Sequence, residues 1–374
     1  MCVLLVEAGS TIGGRHLWSF FASDVADRDK TLVEPLIAHH WADYDVRFPG
    51  YSRVLHTPYA TISSARLDAR VREVLAPDSL MLDARVRRVG ATSITLEDGR
   101  TIHAGGVIDA RGARGLPHLS GGWQTFMGRT LRLAAPHGLT RPTVMDASVE
   151  QRDGYRFVYC LPFSERDVFV EDTYYVDTAA LDLPVLRERI DGYAAARGWQ
   201  VEDVLYEETG ALPVIGAGDF ARFWATGDGQ DDPGRARAGV RAALVHPLTS
   251  YSLPDALRFA GALAALDNLG GERLGRFSHD WAAHHWREGR FYRMLSKMLF
   301  GAAAPCDRWR MLSRFYRLPE LLIERFYAGR STLADMARVL AGKPPVPVSA
   351  AMASLAGRGR PLADLGAPIA GGQR

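Results

Sequence analysis

Apolar and polar residues alternate most clearly between positions 155 and 175. Tyr155 to Leu161 reads as one strand, Pro162 to Arg166 as a connection, and Val168 to Tyr175 as a second strand, so the pattern predicts a β-hairpin. A second β signal covers 85–109. Val86 and Val89 lead to Ile94 and Leu96, Asp98-Gly99 is a turn pair, and Ile102 follows. Val107 to Gly112 then predicts a buried strand ending in a tight glycine turn. Val3 to Val6 predicts a short buried parallel strand that ends in an acid, Glu7. Gly13 to Phe21 is too glycine-rich and aromatic for an ordinary helix. Helical spacing is expected around 32–41 leading to Trp41, over Leu67 to Leu75, and over 184–197 ahead of Gly198. Residues 238–256 predict a strand, a loop and a helix start. From about 258 to 341 the chain reads as helical, with Phe291, Met294, Leu295, Met298 and Leu299 on one stripe. The tail from Lys343 is rich in Pro, Ala and Gly and is expected to be loose.

The composition narrows the class. Of 374 residues, 47 % are hydrophobic and 10 % aromatic, enough for a large core. This excludes disordered, collagen-like and coiled-coil chains. The net charge of +2 argues against a dedicated nucleic-acid binder. That average hides an uneven distribution: residues 287–330 hold ten basic side chains against four acidic ones. Cys2, Cys160 and Cys306 are odd in number and far apart, so neither a disulfide framework nor a zinc site is implied, and a reducing cytoplasm is the default. No run of 18 apolar residues occurs. HExxH, G-x-S-x-G and P-loop motifs are absent, and the His39-His40 and His284-His285 pairs share no face.

Four features could carry chemistry. Glu7 could accept hydrogen bonds from ribose hydroxyls at the end of a dinucleotide-fold strand, or be an ordinary strand-end acid. Strand alternation puts Phe169, Glu171, Thr173 and Tyr175 on one face of the hairpin, and Asp172 and Tyr174 on the other. If the Glu171 face is buried, desolvation raises that carboxyl and fits it for general-acid work. Otherwise Glu171 lies on the solvated half of the strand. His246 to Pro254 is either a cofactor-facing loop before a helix N-terminus or a plain capped helix start. The 287–330 stretch interleaves arginine with aromatic residues, which suits an anionic membrane surface or a solvated arginine face.

Several segments together resemble a known family. They include Gly13-Gly14 through Phe20, Ala38-His39-His40-Trp41, Val107 to Gly112, and Asp153 to Tyr159 running into Leu161-Pro162. Glu171-Asp172-Thr173, Gly210-Ala211-Leu212-Pro213, His246-Pro247 with Tyr251-Ser252-Leu253-Pro254, Arg325 to Gly329 and Gly342 to Val348 continue the match. In order and over nearly the whole chain, these resemble the bacterial lycopene β-cyclase family of flavoproteins. The resemblance implies an α/β fold: a Rossmann-like FAD-binding domain, N-terminally incomplete, with an antiparallel β-sheet substrate domain and a C-terminal helical region. It assigns 1–50, 85–125 and 206–280 to FAD binding, 51–84 and 126–205 to the substrate domain, 281–345 to a helical membrane or substrate region, and 346–374 to a flexible tail. It implies an isomerising lyase that converts lycopene to β-carotene with reduced FAD and NAD(P)H as reductant. Related carotenes and a membrane surface are the implied partners, with no nucleic acid, at the cytoplasmic face of the inner membrane.

The same resemblance makes Glu171 and Asp172 the catalytic residues, with Asp146 and Glu207-Glu208 as weaker candidates. Glu7, Gly14, Val86, Asp109, Gly112, Gly239 and His246 become the cofactor-binding set, with no metal. It also implies about 30 preceding residues that carry a first strand and a G-x-G-x-x-G turn. The chain departs from the family pattern at Arg15 and Leu17, where Asn and Thr are usual. It departs again at Leu248 (usually Thr) and at Ala243 and Ser250 (usually Gly). The competing readings are another FAD-dependent isoprenoid reductase or monooxygenase, and an inactive membrane-binding remnant.

Overall fold

The computed structural model describes residues 2–112, 115–226, 231–342 and 344–362. The first part contains β1 (Leu5–Val6), β2 (Leu17–Phe21), the short helix α1 (Lys30–Val33), β3 (Ile37–Trp41), β4 (Tyr44–Phe48), β5 (Tyr51–Leu55), β6 (Tyr59–Ser63) and α2 (Ser64–Val74). Short strands follow: β7 (Leu80–Met81), β8 (Val86–Val89), β9 (Ser93–Leu96), β10 (Thr101–His103) and β11 (Ile108–Asp109). The middle is built from β12 (Leu119–Leu133), β13 (Thr143–Asp146), β14 (Tyr155–Pro162), β15 (Asp167–Val176), α3 (Leu183–Ala196) and β16 (Val201–Gly218). After α4 (Phe220–Ala225) and β17 (Ala236–Arg237) the chain turns helical, with α5 (Leu253–Ala264), α6 (Gly271–Glu288), α7 (Arg290–Gly301), α8 (Trp309–Phe315), α9 (Glu320–Tyr327), α10 (Leu333–Leu340) and α11 (Val348–Ala356).

A seven-stranded sheet in the order β16-β12-β15-β14-β13-β4-β5 dominates. Its pairs are antiparallel except β13 with β4. Parallel pairing recurs in two small units, β1 with β7 and β11 with β17. Both faces of the large sheet are covered, which is why its central strands are buried over most of their length. One face carries Phe157, Tyr159, Phe169 and Tyr175, packed against an aromatic core with Tyr292, Tyr316, Phe326 and Tyr327 from the C-terminal helices. On the other face Val158, Val168, Val170 and Tyr174 pack with Leu186, Ile190 and Tyr193 of α3.

The mixed α/β class, the hairpin, α2, α3 and the helical C-terminal region match the sequence reading. Other parts differ. Residues 32–41 form one turn of α-helix, a 3-10 turn through Pro35 and then β3. Pro35 cannot donate the amide that a continuing helix needs. Val3 and Leu4 are each 41 % exposed, so the first strand is not buried. The tail contains α11, docked where Lys297 Nζ donates to the Leu355 carbonyl at 2.6 Å and Ser354 Oγ to the Lys297 carbonyl at 2.8 Å. Residues 363–374 of that tail, and Lys343 of the Gly342–Val348 motif, lie outside the described residues. The arginines of 287–330 do not form one solvated face. Arg308 is fully buried over the Phe300 ring, Arg293 is buried over Trp286, and Arg325 pairs with Asp335.

Candidate active site

Strand register builds the site. Across the sheet, Tyr159 of β14 lies opposite Glu171 of β15, Glu171 opposite Gly128 of β12, and Gly128 opposite Glu208 of β16. Residues directly opposite one another point to the same face. Two carboxyls therefore flank a position with no side chain. Gly128 is required there: a Cβ would come within 2.2 Å of the Phe169 ring, which lies over it. Gly210 does the same for Phe126, whose ring would meet a Cβ at 2.4 Å.

These residues line a cavity of about 160 Å³. Its wall includes His16 to Ser19 of the first segment, Phe126, Phe157, Tyr159, Glu171, Tyr175 and Glu208 of the sheet, and Thr249 to Leu253 at the start of α5. The tyrosine hydroxyls are tied up. Tyr159 donates to Tyr59 at 2.7 Å, Tyr59 and Tyr251 oxygens are 3.4 Å apart, and Tyr175 donates to the Leu248 carbonyl at 3.1 Å. Burial pushes the phenols of Tyr59, Tyr159 and Tyr251 well up, so they stay neutral.

The carboxyls are the proton-active groups. Burial pushes Glu171 up to about 7. Its hydrogen bond from Thr173 Oγ1, at 2.6 Å, opposes that rise, and the nearby Asp172 adds to it. Glu208 is also pushed up, first by burial and then by the Glu171 charge. Its Oε2 accepts the Leu17 amide at 3.0 Å and the Tyr206 hydroxyl at 3.2 Å. His16 Nδ1 stands 3.9 Å from the same oxygen, and burial lowers that imidazole. An acid held near neutrality, beside aromatic faces that attract a cation, can protonate an alkene and shelter the resulting carbocation.

Asp172 does not join the cavity. It faces the α3 side, where Arg156 Nε reaches it at 2.7 Å and the Tyr174 hydroxyl at 2.6 Å. Asp146 is likewise elsewhere, bonded to Tyr193 and Arg197, and Glu207 pairs with Arg187. The cofactor candidates scatter. Burial favours a raised Asp109, but Arg111, Arg241 and Arg235 override it and hold the carboxyl at about 2. Asp109 is anchored by Arg111 Nε at 2.8 Å and Arg235 Nε at 3.0 Å. His246 is buried with both ring nitrogens engaged: Nε2 is 3.2 Å from the Phe326 carbonyl, and Nδ1 accepts the Leu248 and Thr249 amides. Burial lowers it to about 4, so a neutral His246 shapes the loop from behind and borders a separate cavity of about 60 Å³.

Val86 is also away from the cavity, its carbonyl taken by Arg111 Nη1 at 3.0 Å. Glu7 closes a turn by accepting the Gly9 amide at 3.0 Å. Gly14, Gly112 and Gly239 all hold positive φ, at 64°, 74° and 62°. Gly14 stands next to the His16–Ser19 wall, and Gly239 opens the turn before Ala243. The wall residue Tyr59 carries no site signal in the sequence, because its role depends on contacts between distant segments, whereas Tyr251 belongs to the candidate loop His246 to Pro254.

The fold is similar to that of HpxO from Klebsiella pneumoniae, solved in complex with FAD and uric acid, at a TM-score of 0.54 and 15 % identity, covering 92 % of this chain and 90 % of that one. The sequence is 44 % identical over 355 residues to a lycopene beta-cyclase of Pantoea ananas, covering 95 % of this chain and 91 % of that protein. It is 43 % identical over 349 residues to a lycopene beta-cyclase of Pseudescherichia vulneris, covering 93 % and 89 %. The family model described as lycopene cyclase protein matches residues 1–353, and the chain belongs to the lycopene cyclase family.

Proposed function

We propose that this protein is a lycopene β-cyclase, closing the acyclic ψ ends of lycopene into the β-rings of β-carotene with no net redox change. The observation that carries the reading is Glu171, a carboxyl raised to about 7 in an aromatic-lined cavity. Its proton adds to the terminal double bond, the tertiary cation closes onto the neighbouring double bond, and loss of a ring proton completes the ring. The faces of Tyr159, Phe157, Phe126 and Tyr175 favour the cation through their quadrupoles and keep water from quenching it.

FAD is the proposed cofactor, with NAD(P)H as its reductant. The residues present fit an anionic ring at the start of α5. Thr249, Ser250, Tyr251, Ser252 and Leu253 line the cavity there, and Ser252 gives the first turn of this 12-residue helix no side-chain cap. The Leu253 and Asp255 amides at this uncapped N-terminus, together with the helix dipole, favour a negative group, and the Asp255 carboxylate of the same turn is paired with Arg258 and His285. When bound, reduced flavin would supply an electron-rich ring whose charge favours a nearby cation.

A membrane surface at the cytoplasmic side is the proposed source of substrate. Leu321, Leu333, Leu340, Val348 and Met352 on α9 to α11 are exposed, and among the described residues no helix is long and apolar enough to cross a membrane. Expression in a lycopene-accumulating bacterium tests the function. β-Carotene is expected. Good expression with no cyclic product would overturn the reading.

A further inference from the structure

We propose that Glu208 is a second catalytic carboxyl, the base that removes the ring proton after Glu171 has started the cyclisation. The inference rests on the cyclase reading and deepens it. The reaction needs a proton delivered to one carbon and another taken from a different carbon of the new ring. A single carboxyl would have to serve both carbons from one place. The sheet instead supplies two, in register on either side of Gly128. Their strands are two apart, roughly 10 Å backbone to backbone. Gly128 leaves the space between them without a side chain, and both carboxyls face the same cavity.

The hydrogen bonds divide the roles. Glu208 Oε2 accepts from the Leu17 amide, which can only donate, and from the Tyr206 hydroxyl. Both favour a carboxylate at that site, against the burial that raises it. Glu171 has the Thr173 hydroxyl, which can turn to accept from a protonated carboxyl. The Glu171 charge raises Glu208 further, so ionisation of one carboxyl disfavours ionisation of the other. The other groups around the pair are the neutral Tyr159 of β14 and Tyr206 of β16, His16 before β2, and Asp172, which faces away.

The step balances. The Glu171 O–H bond breaks and a C–H bond forms at the terminal alkene carbon. The next double bond supplies the electrons of the ring-closing C–C bond. Glu208 then takes a proton from the carbon beside the ring cation, and that C–H pair becomes the ring double bond. Return of the proton from Glu208 to Glu171 resets the site, and no proton is consumed.

Turnover in D2O, with lycopene-containing membranes and reduced FAD, tests the assignment. Wild type is expected to place one solvent deuterium in each β-ring. Glu208→Gln should lose β-ring formation by about 100-fold. The stranded cation should then either lose a proton elsewhere, giving rings with a displaced double bond, or revert, leaving deuterium in unreacted lycopene. Glu208→Asp should restore β-rings. Exclusive β-rings from Glu208→Gln at the wild-type rate would overturn the proposal, as would a folded variant giving neither rings nor label. A wild-type chain that neither cyclises nor labels lycopene would sink the cyclase reading itself, whatever Glu208 does.

Discussion

Replacing Glu171 by Gln should abolish cyclisation and make the protein more stable. The folded carboxyl sits at about 7, against 4.5 for an ordinary glutamate. The folded state therefore binds that proton more tightly than the unfolded chain does. Between pH 4.5 and 7 the folded protein holds the extra proton, so stability falls as pH rises through this window. Above it the penalty is complete, with a ceiling of about 3 kcal/mol at 1.36 kcal/mol per decade. A glutamine side chain in its place would carry no such penalty, and its amide oxygen can still accept from Thr173 Oγ1. Urea denaturation at pH 8 should show a higher midpoint for the variant with an unchanged slope. At pH 4 the gain should vanish, because both forms are then neutral. Glu208, His16 and Tyr159 face the same cavity, so the comparison is repeated on Glu208→Gln to separate their titrations. Equal or lower stability of Glu171→Gln at pH 8, or the same gain at pH 4, would refute the buried-acid reasoning. Retained cyclisation would refute the role of Glu171.

Asp172→Asn should behave in the opposite way. It strips the charge partner from Arg156, whose guanidinium is 8 % exposed, and should cost about 3 kcal/mol; activity per folded molecule, measured below the new melting point, should stay near wild type. Gly128→Ala forces the Phe169 ring to move and should lower stability by about 1–3 kcal/mol along with turnover. Phe169→Leu in the same chain should recover part of both, checked by melting and product yield. Ala243→Gly and Ser250→Gly each relieve a left-handed backbone, but the second also deletes the buried Ser250 Oγ bond to the Pro213 carbonyl at 2.6 Å. Ala243→Gly should therefore be the more stable of the two by about 1 kcal/mol, and the reverse order in thermal melts would contradict this account.

The cavity face of the sheet was legible because β15 obeys a period of two: Glu171 and Asp172 are neighbours in sequence, yet one meets the cavity and the other Arg156. The family motif joins them as one acidic unit, whereas strand geometry separates them. The two longest strands gave no such signal. β12 is buried on both faces along nearly its whole length, so its polar and small residues do not alternate. Glu208 consequently stood out only weakly, beside an exposed stretch of β16. Charge counting failed at the C-terminal helices for a related reason. A sequence shows that Arg308 and Arg293 are cationic, but not that aromatic rings and carbonyls enclose them.

The departures from the family pattern sort by whether the site uses a side chain or the backbone. At position 17 the contact to Glu208 comes from the amide, so Leu17 in place of the usual Thr leaves that hydrogen bond intact. At 243 and 250 the usual residue is Gly, and both positions hold φ near +55° to +58°. That conformation is open to glycine and costs an L-residue about 1–2 kcal/mol. The chain keeps the same backbone path with Ala and Ser, and Ser250 recovers part of the cost through its bond to Pro213. Loop 246–254 is thus held in its glycine-like shape by packing around His246 and by that hydroxyl. The wall it presents at the start of α5 follows from the backbone path rather than from the glycines that usually permit it.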